Sequence, residues 1–214
     1  MPKVLVLFYS RTGNTAALAD ALAEGAREVK FTEVDVRRLD DLAPADAIER
    51  NAKWRDGRAA LAKRYRTMES IEMLADYDAL VFGSPTRHGS MAAELKHVID
   101  MSGPLWLKGA FIDKVGAAFT SVQTPHGGHE TTLWNIMTAM ANYGMILVPP
   151  GYTDPIMYKA GSPYGATATT GTGPPTSDDL AVARHQGRRV AKVAEWVRHA
   201  KSHEAHGSGG HHHH

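Results

Sequence analysis

Apolar and polar positions follow two rhythms along this chain. Val4–Tyr9, Ala79–Gly83, Val115–Ser121 and Met145–Val148 are short, mainly apolar runs, each with the length of a buried parallel strand. Phe31–Val36 alternates instead and suits a strand with one less buried face. Between these runs the period lengthens to that of a helix. Thr15–Val29 spaces Ala and Leu in this way, and Met91–Met101 keeps Leu95, Val98 and Ile99 on one face. Thr131–Tyr143 carries Leu133, Ile136, Met137 and Met140. Asp178–Ala200 carries Leu180, Ala183, Val190, Val193 and Val197, with Ser177 placed as its N-cap.

Alternating strands and helices predict an α/β fold, a parallel sheet covered by helices on both faces. Right-handed crossovers favour a doubly wound sheet of five strands in the order 2-1-3-4-5. Its ligand crevice opens beyond the C-terminal ends of the first and third strands. Two stretches exceed that plan, at residues 38–72 and 149–176. The first is charged and partly helical, with weak periodicity through Leu61, Tyr65 and Met68. The second is rich in Gly, Pro, Thr and Tyr and is too long for a plain connection.

Composition narrows the chemistry. The 214 residues carry 24 Lys and Arg against 23 Asp and Glu, a net charge of +1. That balance gives no electrostatic case for nucleic acid or an anionic membrane. There is no Cys, which removes disulfides, thiolate catalysis and Cys-based metal sites. No stretch approaches the roughly 20 apolar residues of a membrane span, and no signal peptide is evident, so a cytoplasmic protein is expected. His211–His214 follow a Gly-Ser-Gly-Gly linker and read as an expression tag; residues 201–214 are expected to be polar tail and tag.

Three loops carry the chemistry. Ser10-Arg11-Thr12-Gly13-Asn14-Thr15 directly follows the first strand and opens the first helix. Gly13 allows a tight turn, and the hydroxyls of Ser10, Thr12 and Thr15 with the helix-start amides can surround a phosphate. A helix N-cap alone asks for a single such hydroxyl. Without Lys, and without G-x-G-x-x-G, the loop suits one phosphate monoester rather than a triphosphate or a dinucleotide. Gly83–Ser90 follows the third strand at the switch point. There Pro85 and Gly89 bend a loop whose amides can meet a flat polar heterocycle, with Thr86, Arg87 and His88 beside it. Ser121-Val122-Gln123-Thr124-Pro125-His126-Gly127 follows the fourth strand, and its glycine permits close approach to a ring. His126 and His129 lack a third ligand, so no metal site is expected.

On these residues the chain to about Ala200 resembles the WrbA family of flavodoxin-like, FMN-dependent NAD(P)H:quinone oxidoreductases. The likeness rests on Lys3–Leu7 with the Ser10–Thr15 loop, on Phe82–Arg87 with Gly89, and on Gly103-Pro104-Leu105-Trp106. It extends through His126–Thr132, Tyr143-Gly144-Met145, Ser162–Ala166 and Ala183–Gly187. The resemblance implies FMN phosphate at Ser10–Thr15, the isoalloxazine against Thr86, Arg87 and His88, and the Ser121–Gly127 loop over the ring edge. Arg87 is the electrostatic candidate for the charge of the reduced flavin. Trp106 would border the quinone, Thr12 would help place the nicotinamide, and the assembly would be a homotetramer with its site at a subunit interface.

Two positions depart from that pattern. Thr12 stands where many members have Tyr, and Asn142 where some have His. The expected reaction is ping-pong hydride transfer through flavin N5, with no committed protein acid or base. A flavodoxin-type electron carrier, a regulatory flavin-binding protein, and an NADPH-dependent FMN reductase or azoreductase are the alternatives. Carriers tend to be strongly acidic, whereas this chain is near neutral. No motif marks a 2′-phosphate pocket, so the donor is written NAD(P)H.

Overall fold

A computed structural model describes residues 1–207; the expected tag lies outside them. The strands are β1 (Lys3–Phe8), β2 (Glu33–Arg38), β3 (Ala79–Arg87), β4 (Ser90–Met91), β5 (Val115–Val122), β6 (Ile146–Leu147) and β7 (Ala166–Thr169). The helices are α1 (Asn14–Arg27), α2 (Ala45–Glu49), α3 (Ala52–Arg64), α4 (Ala93–Met101), α5 (Gly103–Leu107), α6 (His129–Asn142) and α7 (Ser177–Gly207). The main path of the sheet is β2-β1-β3-β5-β6, all parallel, which is the expected 2-1-3-4-5 order. β4 turns back antiparallel on β3, and β7 adds to β5.

The period of two explains both cores. Val4, Val6 and Phe8 of β1 point to one face with Val81 and Phe119, where α1 and α7 supply Leu18, Leu22, Val182 and Val190. Leu5, Leu7 and Tyr9 point to the other with Leu80 and Phe82, under Leu95 and Val98 of α4 and Leu133 and Ile136 of α6. The sheet is thus buried on both sides, as its continuous apolar runs require.

The fifth strand position departs from expectation in a telling way. β6 has two residues, pairing Ile146 and Leu147 with Val115 and Gly116. The chain then leaves the sheet and returns as β7, where Ala166 lies beside Phe119 and Thr169 beside Val122. Part of the segment 149–176 therefore completes the strand. Gln186 of α7 bridges the return: its Nε2 donates to Ala118 O at 3.0 Å and its Oε1 accepts from Ala166 N at 2.9 Å. A Cβ on Gly165 would sit 2.3 Å from Ala118 O, so only Gly allows this close approach. Met157, Ser162 and Thr167 are buried as well. Contacts within the same domain thus hold part of the segment 149–176.

Two further corrections concern α7. Its start is capped by Thr176 rather than Ser177. Asp179 N donates to Thr176 Oγ1 at 3.2 Å and Thr176 N to Asp179 Oδ2 at 2.8 Å, a reciprocal box. Its end runs past Ala200 to Gly207, so the expected polar tail begins as helix.

The segment 38–72 is partly helical, as its weak periodicity suggests. Leu61 of α3 and Tyr65, just after it, are buried in the α1/α7 core, and Phe8 meets Tyr65 edge-on with ring centroids 5.1 Å apart.

Candidate functional site

β1, β3 and β5 end side by side, and each releases its loop at the same edge of the sheet. After β1, Gly13 occupies the α1 N-cap at φ 104°, where L side chains are strained. It carries no side chain and none caps this helix, so the first-turn amides are left to a ligand. Ser10 Oγ accepts from Gly13 N at 3.1 Å and shapes the turn. Thr15 Oγ1 lies 2.8 Å from Ser121 Oγ, tying this loop to the end of β5.

The bent loop expected after the third strand is a tight hairpin. β3 continues to Arg87, β4 starts at Ser90, and the two turn residues His88 and Gly89 have φ of 53° and 81°. His88 holds this conformation without glycine's freedom, a strain concentrated at the mouth of the crevice. Thr86 Oγ1 braces the turn, accepting from Gly89 N at 3.2 Å and from Thr132 Oγ1 at 2.8 Å. Arg87 Nη1 donates to Thr86 O at 3.0 Å. Burial, and then the Arg11 guanidinium, pull the Arg87 pKa below its usual value.

Together these loops enclose a cavity of about 530 Å³. Its walls include Ser10, Arg11, Thr12, Asn14, Thr15, Pro85, Thr86, Arg87, His88, Ser121, Val122, Gln123, Thr124 and Gly127. Of the expected cofactor-binding residues, Gly13 acts through its backbone conformation, while Pro125 and His126 lie exposed and off the wall. Trp106 is also off the wall, on α5 and 47% exposed. His129 bonds Thr169 Oγ1 through Nε2 at 3.1 Å.

Four wall residues escaped the sequence reading: Asn51, Lys53, Trp54 and Thr170. The first three bring the charged segment 38–72 into the site. Asn51 caps α3 by accepting from Trp54 N at 3.1 Å. Trp54 Nε1 donates to Asp41 Oδ1 at 2.7 Å, and Tyr9 OH donates to the same oxygen at 2.8 Å. Arg58 Nε meets Asp41 Oδ2 at 3.3 Å. Burial and this carboxylate raise the Tyr9 pKa, so the hydroxyl stays protonated as donor. Trp54 amid charged neighbours, three residues after an Asn, was the available signal.

The wall fits FMN. It offers uncapped helix-start amides and hydroxyls for one phosphate, backbone loops for a flat ring, and no acidic side chain. Fold and site thus define a flavodoxin-like nucleotide-binding protein with its crevice at the switch point of the sheet. The sequence profile of the NADPH-dependent FMN reductase family matches residues 2–154, and the chain belongs to that family. An Archaeoglobus fulgidus protein named NAD(P)H dehydrogenase (quinone) is 45% identical over 202 residues, covering 91% of this chain and 98% of its own. A Bradyrhizobium sp. (strain ORS 278) protein of the same name is 45% identical over 203 residues, with the same coverage. Among solved structures, a flavodoxin described as a WrbA-like protein from Agrobacterium tumefaciens is similar at a TM-score of 0.65. It is 26% identical, over 92% of this chain and 99% of that one.

Proposed function

We propose that the protein is an FMN-dependent NAD(P)H:quinone oxidoreductase that reduces quinones to hydroquinones by two electrons. The observation that carries this reading is the carboxylate-free cavity between the β1, β3 and β5 loops. The near full-length relatives named NAD(P)H dehydrogenase (quinone) support the same chemistry. Bound FMN would supply the redox chemistry, accepting a hydride equivalent and passing on two electrons.

The chain's own residues bind and orient. The amides of Asn14 and Thr15 and the hydroxyls of Ser10, Thr12 and Thr15 would hold the phosphate. Thr86, His88 and the Ser121–Gly127 loop define the slot for the ring. Arg87, held beside Thr86 O, would supply positive charge to offset the negative charge of a reduced flavin. No protein nucleophile is required. The purified protein is expected to be yellow and to release FMN on denaturation. Its visible absorbance should be bleached by NAD(P)H and restored by benzoquinone. An FAD mass, or colour that NAD(P)H leaves unchanged, would sink this reading.

A cytoplasmic homotetramer is part of the same proposal. Met101, Trp106, Leu107 and Ile112 are all exposed on α4, α5 and the turn after them, an apolar surface suited to a partner subunit. Trp106, absent from its own chain's cavity wall, would then border a neighbour's quinone. Trp106→Ala is expected to keep FMN while kcat/KM for quinone falls and the tetramer weakens. Full activity in an unchanged assembly makes Trp106 a bystander.

A further inference from the structure

The cavity holds more positive charge than one phosphate ester asks for. Arg11, Lys53 and Arg87 all line it, and none of its wall residues is acidic. Among the described residues, neither Arg11 nor Lys53 takes part in an ion pair within 4.0 Å, and Arg11 Nε is buried without a hydrogen-bond partner. The nearby carboxylate of Asp41 is already engaged by Tyr9, Trp54 and Arg58. Arg11 is nevertheless held in place: its guanidinium lies 3.7 Å over the Trp54 indole. Stacking consumes one face of the guanidinium. One edge of the guanidinium reaches the Tyr9 hydroxyl, and its further N–H groups can donate in plane to an anion.

A phosphate monoester directly beside a flat heterocycle matches that arrangement, and so does the adenosine end of NADPH. We infer that Arg11 and Lys53, set on the Trp54 platform of α3, bind the 2′-phosphate of the donor and make the protein selective for NADPH over NADH. The adenine would lie against the free face of Arg11. The inference rests on the quinone reductase reading and names the donor for that same cavity. It also gives the segment 38–72 a function, because α3 carries Lys53 and Trp54 to the cavity mouth and Asp41 fixes Trp54 there.

Calorimetry on the FMN-loaded protein tests this without turnover, using 2′,5′-ADP and 5′-AMP as probes. The wild type is expected to bind 2′,5′-ADP at least about tenfold more tightly than 5′-AMP, since charge-assisted hydrogen bonds are the strong ones. Lys53→Ala should shrink that margin, and Arg11→Ala with Lys53→Ala should erase it. In kinetics, the ratio of kcat/KM for NADPH to that for NADH should fall by about tenfold or more. Equal wild-type affinity for the two probes overturns the inference. An equal loss on both donors assigns the cations to the shared pyrophosphate, and loss of FMN assigns them to the cofactor's phosphate; either result also overturns it. If the protein holds no FMN and oxidises neither donor, the oxidoreductase reading itself fails; the two probes are then compared on the FMN-free protein, where equal affinity again overturns the inference.

Discussion

Gly187→Ala is expected to destabilise the protein by about 3 kcal/mol, at the upper end of what overpacking usually costs. The new Cβ would lie 1.9 Å from Leu22 O, 2.8 Å from Leu22 C and 3.0 Å from Ala26 N. These are backbone atoms of α1, so no rotamer change relieves the clash. Gly25 mirrors it from the other helix, where a Cβ would lie 1.9 Å from Arg184 O. α1 and α7 must therefore separate, loosening Leu18 and Leu22 against Val182 and Val190. For a chain of this size about 2–4 °C of Tm accompany each kcal/mol, so a drop of about 6–12 °C should appear in thermal melts. FMN content must be matched between samples, because a ligand of the native state raises Tm. Arg188→Ala, one residue on, removes only a partly exposed ion pair with Glu28 and should change stability by less than about 1 kcal/mol. If Gly187→Ala is equally mild, α7 can shift without loss and the close approach is not needed.

Thr12→Ala combined with Thr15→Ala is expected to weaken FMN binding on the order of tenfold or more, since each neutral hydrogen bond contributes about 0.5–1.5 kcal/mol. The two positions should contribute unequally. Thr12 is exposed, whereas Thr15 is buried and shares a 2.8 Å hydrogen bond with Ser121 Oγ. Removing the Thr15 hydroxyl also strands a buried Ser121 hydroxyl, and the β1 loop loses its tie to β5. Thr15→Ser should retain most of the affinity. Titrating apo-protein with FMN and following the quenching of flavin fluorescence measures both effects. A double variant with wild-type affinity would leave the backbone amides as the whole phosphate site.

The cavity loops were legible because their chemistry is local. Ser10–Thr15 sits at the end of an apolar run and the start of a helical period, and that position alone places it at the crevice. Arg87 and His88 were placed by the same reasoning, although the two-residue turn of His88 and Gly89 depends on β3 running on to Arg87, beyond its apolar core. Asn51, Lys53, Trp54 and Thr170 were not legible, since they reach the site from segments that carry no strand-end signal.

Hydrophobic periodicity by itself determined the order of elements, the burial of both sheet faces and the loops that meet at the switch point, because strands and helices expose their apolar residues at fixed spacings. Tertiary structure alone decided what the two surplus segments do. Residues 166–169 become a strand only because β5 offers an unpaired edge and Gln186 supplies hydrogen bonds beside it. Trp54 enters the site only because Asp41 gathers Tyr9, Trp54 and Arg58 around one buried carboxylate. Both depend on partners well separated along the chain, Asp41 for Trp54 and Phe119 for Ala166, at distances where local pattern carries no information and packing decides.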